Sequence, residues 1–135
     1  KNKVIKLFGE ESWRPFIHVK DVANIFFRFL ISNKPNLYNQ IYNLGFDDEN
    51  YKIIEIIKIL QKKLKFQVFK DKVFVDKRNY FVSFKKLHKK IYIKKQYTLK
   101  KSIIEMLKYF KNKKIRVTND IYHNDKAIMK ILKNR

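Results

Sequence analysis

Apolar and polar positions change their period several times along the chain, and each change marks an element. Lys3 to Phe8 alternates weakly and then meets Gly9, which predicts a short strand, Val4 to Phe8, running into a loop. Arg14 to Val19 reads as a second extended piece with its strand over Phe16 to Val19, Pro15 confining it to an edge or a strand start. The spacing then turns helical: Val22, Ile25, Phe26, Phe29 and Leu30 recur at three and four, so a helix is predicted over Val22 to Ser32. Asp21 is expected to cap it, and Asn33 and Pro35 end it. Gln40 to Leu44 reads as a buried strand closed by Gly45. The acidic run Asp47, Asp48, Glu49 leads to Asn50 as N-cap of a helix over Tyr51 to Lys65, with Ile53, Ile57, Leu60 and Leu64 on one face. Gln67 to Val75 is predicted as a strand, Asp76 to Tyr80 as a polar connector, and Ser83 as the cap of a short helix through His88. Thr98 opens a helix over Leu99 to Asn112, and Ile128, Ile131 and Leu132 mark a last short one. Strands interleaved with helices, without repeats or a low-complexity linker, predict a single α/β unit.

Composition adds an unusual charge. The 135 residues hold 33 Lys+Arg against 12 Asp+Glu, a formal net charge of +21, while 45% hydrophobic residues, with 12 Phe and 8 Tyr among them, suffice for a core. Only five of the basic residues are arginine, and glycine and alanine occur twice each, the skew of an AT-rich coding sequence. A groove built for nucleic acid favours the planar arginine fork. Dispersed lysines give weak, salt-sensitive attraction, so nonspecific nucleic-acid binding is expected at low salt only. A small lysine-rich nucleic-acid-binding module is the alternative function. The absence of cysteine excludes a disulfide scaffold, a thiolate zinc site and a cysteine nucleophile, and it fits a reducing, cytoplasmic setting. No apolar run approaches the roughly 18 residues that span a bilayer, Arg28, Glu55 and Lys58 interrupting the longest ones, so no membrane partner is expected.

Candidate chemistry is sparse. His18, His88 and His123 show no metal-ligand spacing, so no metal site is expected, and His18 between Ile17 and Val19 reads as a hydrogen-bonded structural imidazole. The acidic run before a helix start has a dipole reason to be there. With Gly9 and Gly45 as the sole glycines, no phosphate-cradling glycine loop can be written. A tyrosine stands four residues before a lysine at Tyr97/Lys101, Tyr109/Lys113 and Tyr122/Lys126. Eight tyrosines in so lysine-rich a chain give roughly two such pairs by chance, so these carry no catalytic assignment. Ser12, Ser32, Ser83 and Ser102 have no His and acid partners in pattern. No catalytic residue is expected in the chain.

Three stretches, in order, resemble the C-terminal part of the NAD(P)-dependent epimerase/dehydratase family, the extended short-chain dehydrogenase/reductases that act on nucleotide-diphosphate sugars. RPFIHVKDVA, Arg14 to Ala23, is similar to the family's R-x-F-x-H-V-x-D-V-A segment. IYNLG, Ile41 to Gly45, with NYKIIEIIKIL from Asn50, is similar to its Y-N-x-G strand and following helix. DKRNYFVSFKKLHKKI, Asp76 to Ile91, resembles its late D-x-R-x-Y-x-V-S segment. Tyr92 and Ser102 depart from it, standing where glycines are common in relatives.

The resemblance implies an α/β fold made of the last Rossmann-sheet elements plus a small substrate-binding region, residues 1–135 forming the C-terminal portion without the N-terminal cofactor-binding part. It implies that Arg14 and Arg78 approach a substrate diphosphate, that Asn79 and Tyr80 line the sugar or nucleotide pocket, and that Asp21 serves capping and packing. The implied parent is an NAD(P)-dependent epimerase, dehydratase or reductase of surface-polysaccharide sugar synthesis, often a homodimer. The implied partners of the chain are a nucleotide-diphosphate sugar and the missing Rossmann portion. NAD(P) belongs to the parent, and none is expected to bind residues 1–135 alone.

Overall fold

The structure, a computed structural model, describes residues 3–70, 78–112, 123, 128, 129, 131 and 132. The chain divides into two compact units, residues 1–103 and 104–135.

In the first unit, β1 (Val4–Leu7), β2 (Trp13–Pro15) and α1 (Val19–Leu30) are followed by 3-10 turns at Pro35–Leu37 and Asp47–Glu49. Then come β3 (Asn50–Lys52), α2 (Ile53–Gln61), β4 (Gln67–Lys70), α3 (Lys85–Lys90) and the first turn of α4 (Leu99–Asn112). β1 pairs in parallel with β4 in the register Val4↔Gln67 to Leu7↔Lys70, and β2 pairs antiparallel with β3, Arg14 opposite Tyr51. A parallel pair needs a crossover, and the connection from β1 to β4 runs through β2, α1, β3 and α2. The core gathers Ile25, Leu37, Phe46, Leu87, Ile91 and Ile93, with Ile17, Phe29, Tyr42 and Leu44 packed against it. In the second unit α4 continues to Asn112, with the Tyr109 and Phe110 rings edge to face at 6.1 Å, and residues 128, 129, 131 and 132 are helical, where the last helix is predicted.

Several boundaries differ from the sequence expectation, each for a local reason. α1 begins at Val19, because His18, in an extended conformation, accepts the Lys20 N–H on Nδ1 (3.2 Å) and is the N-cap in place of Asp21. The expected strand Phe16 to Val19 therefore shrinks to an extended approach, and the paired residues are Trp13–Pro15. Pro15 has no N–H to offer, and the pairing continues through Phe16 N–H to the Glu49 carbonyl (2.9 Å).

Gln40 to Leu44 is not a strand. Its polar groups turn toward the α3 region instead: Lys86 Nζ donates to the Ile41 carbonyl (3.0 Å), and Asn43 Nδ2 to the Ser83 carbonyl (3.3 Å). Asn50 likewise is not the N-cap of α2, a place taken by Lys52. Its side chain donates to the carbonyls of Asp47 and Val82 and accepts the Val82 N–H, all at 3.0 Å, while residues 50–52 pair with β2. The helix starts at Ile53, where Glu55 reaches back to the Lys52 N–H (2.7 Å) and the carbonyls of Ser12 and Glu10 take the N–H groups of Ile53 and Ile54. It ends at Gln61, short of Lys65.

β4 occupies Gln67–Lys70, and the rest of the strand predicted to Val75 lies outside the described residues. α3 sits slightly later than predicted. Ser83 Oγ accepts the Lys85 N–H at 3.4 Å, and Asp47 takes the Phe84 N–H at 2.9 Å. α3 ends with Ile91 extended (φ −140°), so Tyr92 is not asked to adopt the left-handed cap that glycine provides in relatives. α4 matches its predicted span, with Thr98 Oγ1 accepting the Lys101 N–H (3.2 Å).

Candidate substrate-binding site

The site is built where β2 meets the segment entering α3. β2 is held from the β3 side by its ladder and from the other by residues 79–81. The Asn79 side-chain carbonyl accepts the Trp13 N–H (2.9 Å), the Tyr80 N–H points to the Trp13 carbonyl (3.5 Å), and the Trp13 and Phe81 rings meet edge to face at 5.2 Å. Arg14 is half-buried. Its Nη1 donates to the Trp13 carbonyl (2.7 Å), and its guanidinium lies over the Tyr80 ring, 5.2 Å from the centroid. Lys52 faces the Trp13 ring at 5.7 Å and forms a surface ion pair with Glu11 at 2.7 Å. The hydrogen bond of that pair, reinforced by charge attraction, lowers the Glu11 pKa and raises that of Lys52.

A polar framework behind this edge fixes the segments that carry it. Glu49 is buried, and its carboxylate accepts from Lys95 Nζ (2.8 Å) and from the Leu99 N–H at the start of α4 (2.8 Å). Burial works against the charge on Lys95, but hydrogen bonds to Asp48 and Glu49 outweigh it and hold the lysine pKa above its ordinary value. Tyr51, the ladder partner of Arg14, is pushed up by burial first and by the Glu49 charge second. The acidic run thus tethers residues from elsewhere in the chain: Asp47 takes Phe84, while Asp48 and Glu49 take Lys95.

Asp21, fully buried, accepts the N–H groups of Gln96 (3.1 Å) and Tyr97 (3.0 Å). It packs as expected, but its hydrogen bonds secure the chain leading into α4. His18 stacks on Tyr97 with centroids 4.0 Å apart, Lys20 Nζ reaches the Tyr97 hydroxyl (3.2 Å), and His88 Nε2 bonds the Gly45 carbonyl (2.8 Å). Among the described residues no three His, Cys, Asp or Glu side chains are grouped to hold a metal ion.

Of the four residues singled out in the sequence, Arg14, Asn79 and Tyr80 come together directly through Trp13 and the Tyr80 ring. Arg78 is exposed and immediately precedes Asn79. Sequence reasoning passed over Trp13 and Phe81, which join the two segments. The lone tryptophan adjoining Arg14 was the available signal.

NAD(P) does not fit the two glycines of the chain. Gly9 (φ 57°) sits in a turn closed by Ser12 N–H to its carbonyl (2.9 Å), and the open side of Gly45 is filled by the Phe84 ring. Neither can receive a pyrophosphate against a helix N-terminus.

Helices, a parallel strand pair with its helical crossover and an antiparallel pair make this an α/β fold. No family model matches the chain, and no curated protein matches it. Among solved structures the chain is similar to RMD from Pseudomonas aeruginosa complexed with NADPH, with a TM-score of 0.67 and 20% sequence identity over 83% of this chain and 36% of that one. The chain thus spans about a third of the length of RMD. Among the described residues no helix is long and apolar enough to cross a membrane.

Proposed function

We propose that this chain is the sugar-nucleotide-binding, C-terminal portion of an NAD(P)-dependent epimerase, dehydratase or reductase of the extended short-chain dehydrogenase/reductase type. The observation that carries the reading is the meeting of Arg14 with Asn79 and Tyr80, residues from two family-like segments separated by more than sixty positions. The fold shared with NADPH-complexed RMD supports it. In this reading the Arg14 guanidinium, oriented by the Tyr80 ring and the Trp13 carbonyl, grips the substrate diphosphate together with Arg78. A planar fork matches phosphate oxygens bidentately, which an ammonium cannot do. Asn79 and Tyr80 line the sugar or nucleotide pocket. Hydride transfer belongs to a cofactor segment and a Tyr-x-x-x-Lys pair outside these residues, and the parent acts in surface-polysaccharide sugar synthesis.

Calorimetric titration of residues 1–135 with uridine diphosphate, guanosine diphosphate and NADPH at physiological salt tests this. Saturable binding of a nucleoside diphosphate with no NADPH signal is expected. NADPH binding, or tight preference for one oligonucleotide sequence over both diphosphates, overturns the reading.

A further inference from the structure

Among the described residues of the second unit, 104–135, none is buried. Within it α4 still sorts its side chains by face. Met106, Leu107, Tyr109 and Phe110, linked by spacings of three and four, share one stripe, with Lys111 at its margin and Lys108 behind it. The helical residues 128, 129, 131 and 132 repeat the arrangement: Ile128, Ile131 and Leu132 share a face beside Met129, and Lys126, Lys130 and Lys133 are interleaved with them in sequence. Met106, Tyr109, Phe110, Ile128, Met129, Ile131 and Leu132 are all between 48% and 61% exposed. The same 32 residues carry nine Lys+Arg against three Asp+Glu. A lysine-rich helical segment with an uncovered stripe of Phe, Tyr, Met, Ile and Leu has the make-up of one that lies in the plane of a lipid surface, apolar side down.

We propose that residues 104–135 dock on an anionic phospholipid surface, the two apolar stripes entering the boundary of headgroups and acyl chains and the lysines meeting the lipid phosphates. Charge complementarity selects this occupant. An excess of six positive charges in 32 residues attracts a negative surface, and lysine, with its long apolar stem and compact head, covers acyl chains while its ammonium stays among headgroups. The same excess opposes a second copy of the chain. Nucleic acid is equally negative, but it offers bases to stack on aromatic rings, and five of the seven exposed apolar side chains are aliphatic. Since no helix among the described residues is long and apolar enough to cross a membrane, the contact is with the surface. The proposal is independent of the substrate assigned to Arg14 and Arg78.

Flotation of residues 1–135 with vesicles tests it at physiological salt. Binding to equimolar phosphatidylglycerol and phosphatidylcholine is expected to exceed binding to phosphatidylcholine alone by about tenfold or more. The variant Tyr109→Ser/Phe110→Ser/Ile131→Ser/Leu132→Ser keeps every charge and should lose about tenfold or more of it, while Phe26→Ser/Leu30→Ser, which trims exposed apolar side chains of α1, should change nothing. Adhesion through charge alone would leave the fourfold variant as tightly bound as wild type, and that result overturns the proposal. So do absence of binding, equal binding to both vesicle types, and loss in the α1 variant instead. A dimer without lipid, or binding to a mixed-sequence oligonucleotide, that the fourfold variant abolishes also overturns it by assigning the stripes to another occupant. The absence of cysteine gives a readout that does not depend on how the fourfold variant folds. A nitrobenzoxadiazole label on Phe110→Cys should shift to the blue on the anionic vesicles and be quenched by brominated acyl chains, and the same label on Tyr92→Cys, an 80% exposed position, should not. A label at position 110 that stays in water while the chain is vesicle-bound overturns the proposal.

Discussion

Removing the Asp21 carboxylate leaves two backbone N–H groups, of Gln96 and Tyr97, without their acceptors in a partly buried place. Hydrogen bonds to a charged group contribute about 1.5 to 3 kcal/mol each. The two share one carboxylate and are not independent, so the local loss in Asp21→Ala is set at about 3 kcal/mol. At about 1.4 kcal/mol per factor of ten, this means an increase of about a hundredfold in the opening of the segment before α4. Amide hydrogen exchange measured by NMR reads this directly. Gln96 and Tyr97 should lose protection by about that factor relative to the Ser102 amide, which is bonded to the Thr98 carbonyl at 2.9 Å inside the helix. Asp21→Asn keeps one carbonyl acceptor but turns an amide donor toward the other N–H, so it should fall between. Unchanged exchange at residues 96 and 97 in Asp21→Ala would refute the tether and return Asp21 to a helix-start role.

Other substitutions probe the rest of the framework. A Cβ at Gly45 (φ +159°) would lie 2.5 Å from two carbons of the buried Phe84 ring, so Gly45→Ala should cost about 1 to 3 kcal/mol in urea unfolding, and an unchanged midpoint would show the ring is not fixed there. His18→Ala should cost about 0.5 to 2 kcal/mol, with His18→Asn restoring most of it through the same acceptor position; equal losses for both would mean that the Tyr97 stack, not the cap, is what His18 supplies. Lys95 has a raised folded pKa, so its contribution is fully present below the ordinary lysine value of 10.5 and is lost as pH rises through the higher folded value. Wild-type stability should therefore fall on that alkaline side more steeply than that of Lys95→Met, and identical alkaline slopes would remove the Glu49 pairing from the account.

Local periodicity predicted β1, α4 and the inner stripe of α1, because those segments follow their own hydrophobic pattern. Gln40 to Leu44 was unreadable by the same means. Its apolar composition suits a strand, but a strand needs a ladder, and its carbonyl and amide groups meet Lys86, Ser83 and their neighbours instead. Asn50 and Asp21 both look like helix caps in sequence, and both spend their side chains on distant partners, Val82 and residues 96–97. The burial of Glu49 was hidden for the same reason: three adjacent acids read as a solvated helix start until Lys95 and Leu99 are brought in from the far end of the unit. At the candidate site the motif spacing singles out Arg14, Arg78, Asn79 and Tyr80, of which Arg14, Asn79 and Tyr80 meet through Trp13 and the Tyr80 ring. It does not single out Trp13 and Phe81, since their contact exists only once β2 lies beside residues 79–81.

The claim that Arg14 and Arg78 share one diphosphate is tested most directly by a double-mutant cycle on uridine and guanosine diphosphate binding to residues 1–135, with Arg28→Lys as control. Lysine keeps the charge and removes the fork, so Arg14→Lys and Arg78→Lys should each weaken binding by about 1 to 3 kcal/mol, the double variant by clearly less than their sum, and Arg28→Lys by almost nothing. Lysine variants that bind as tightly as wild type, or losses that add in full, would contradict the shared site.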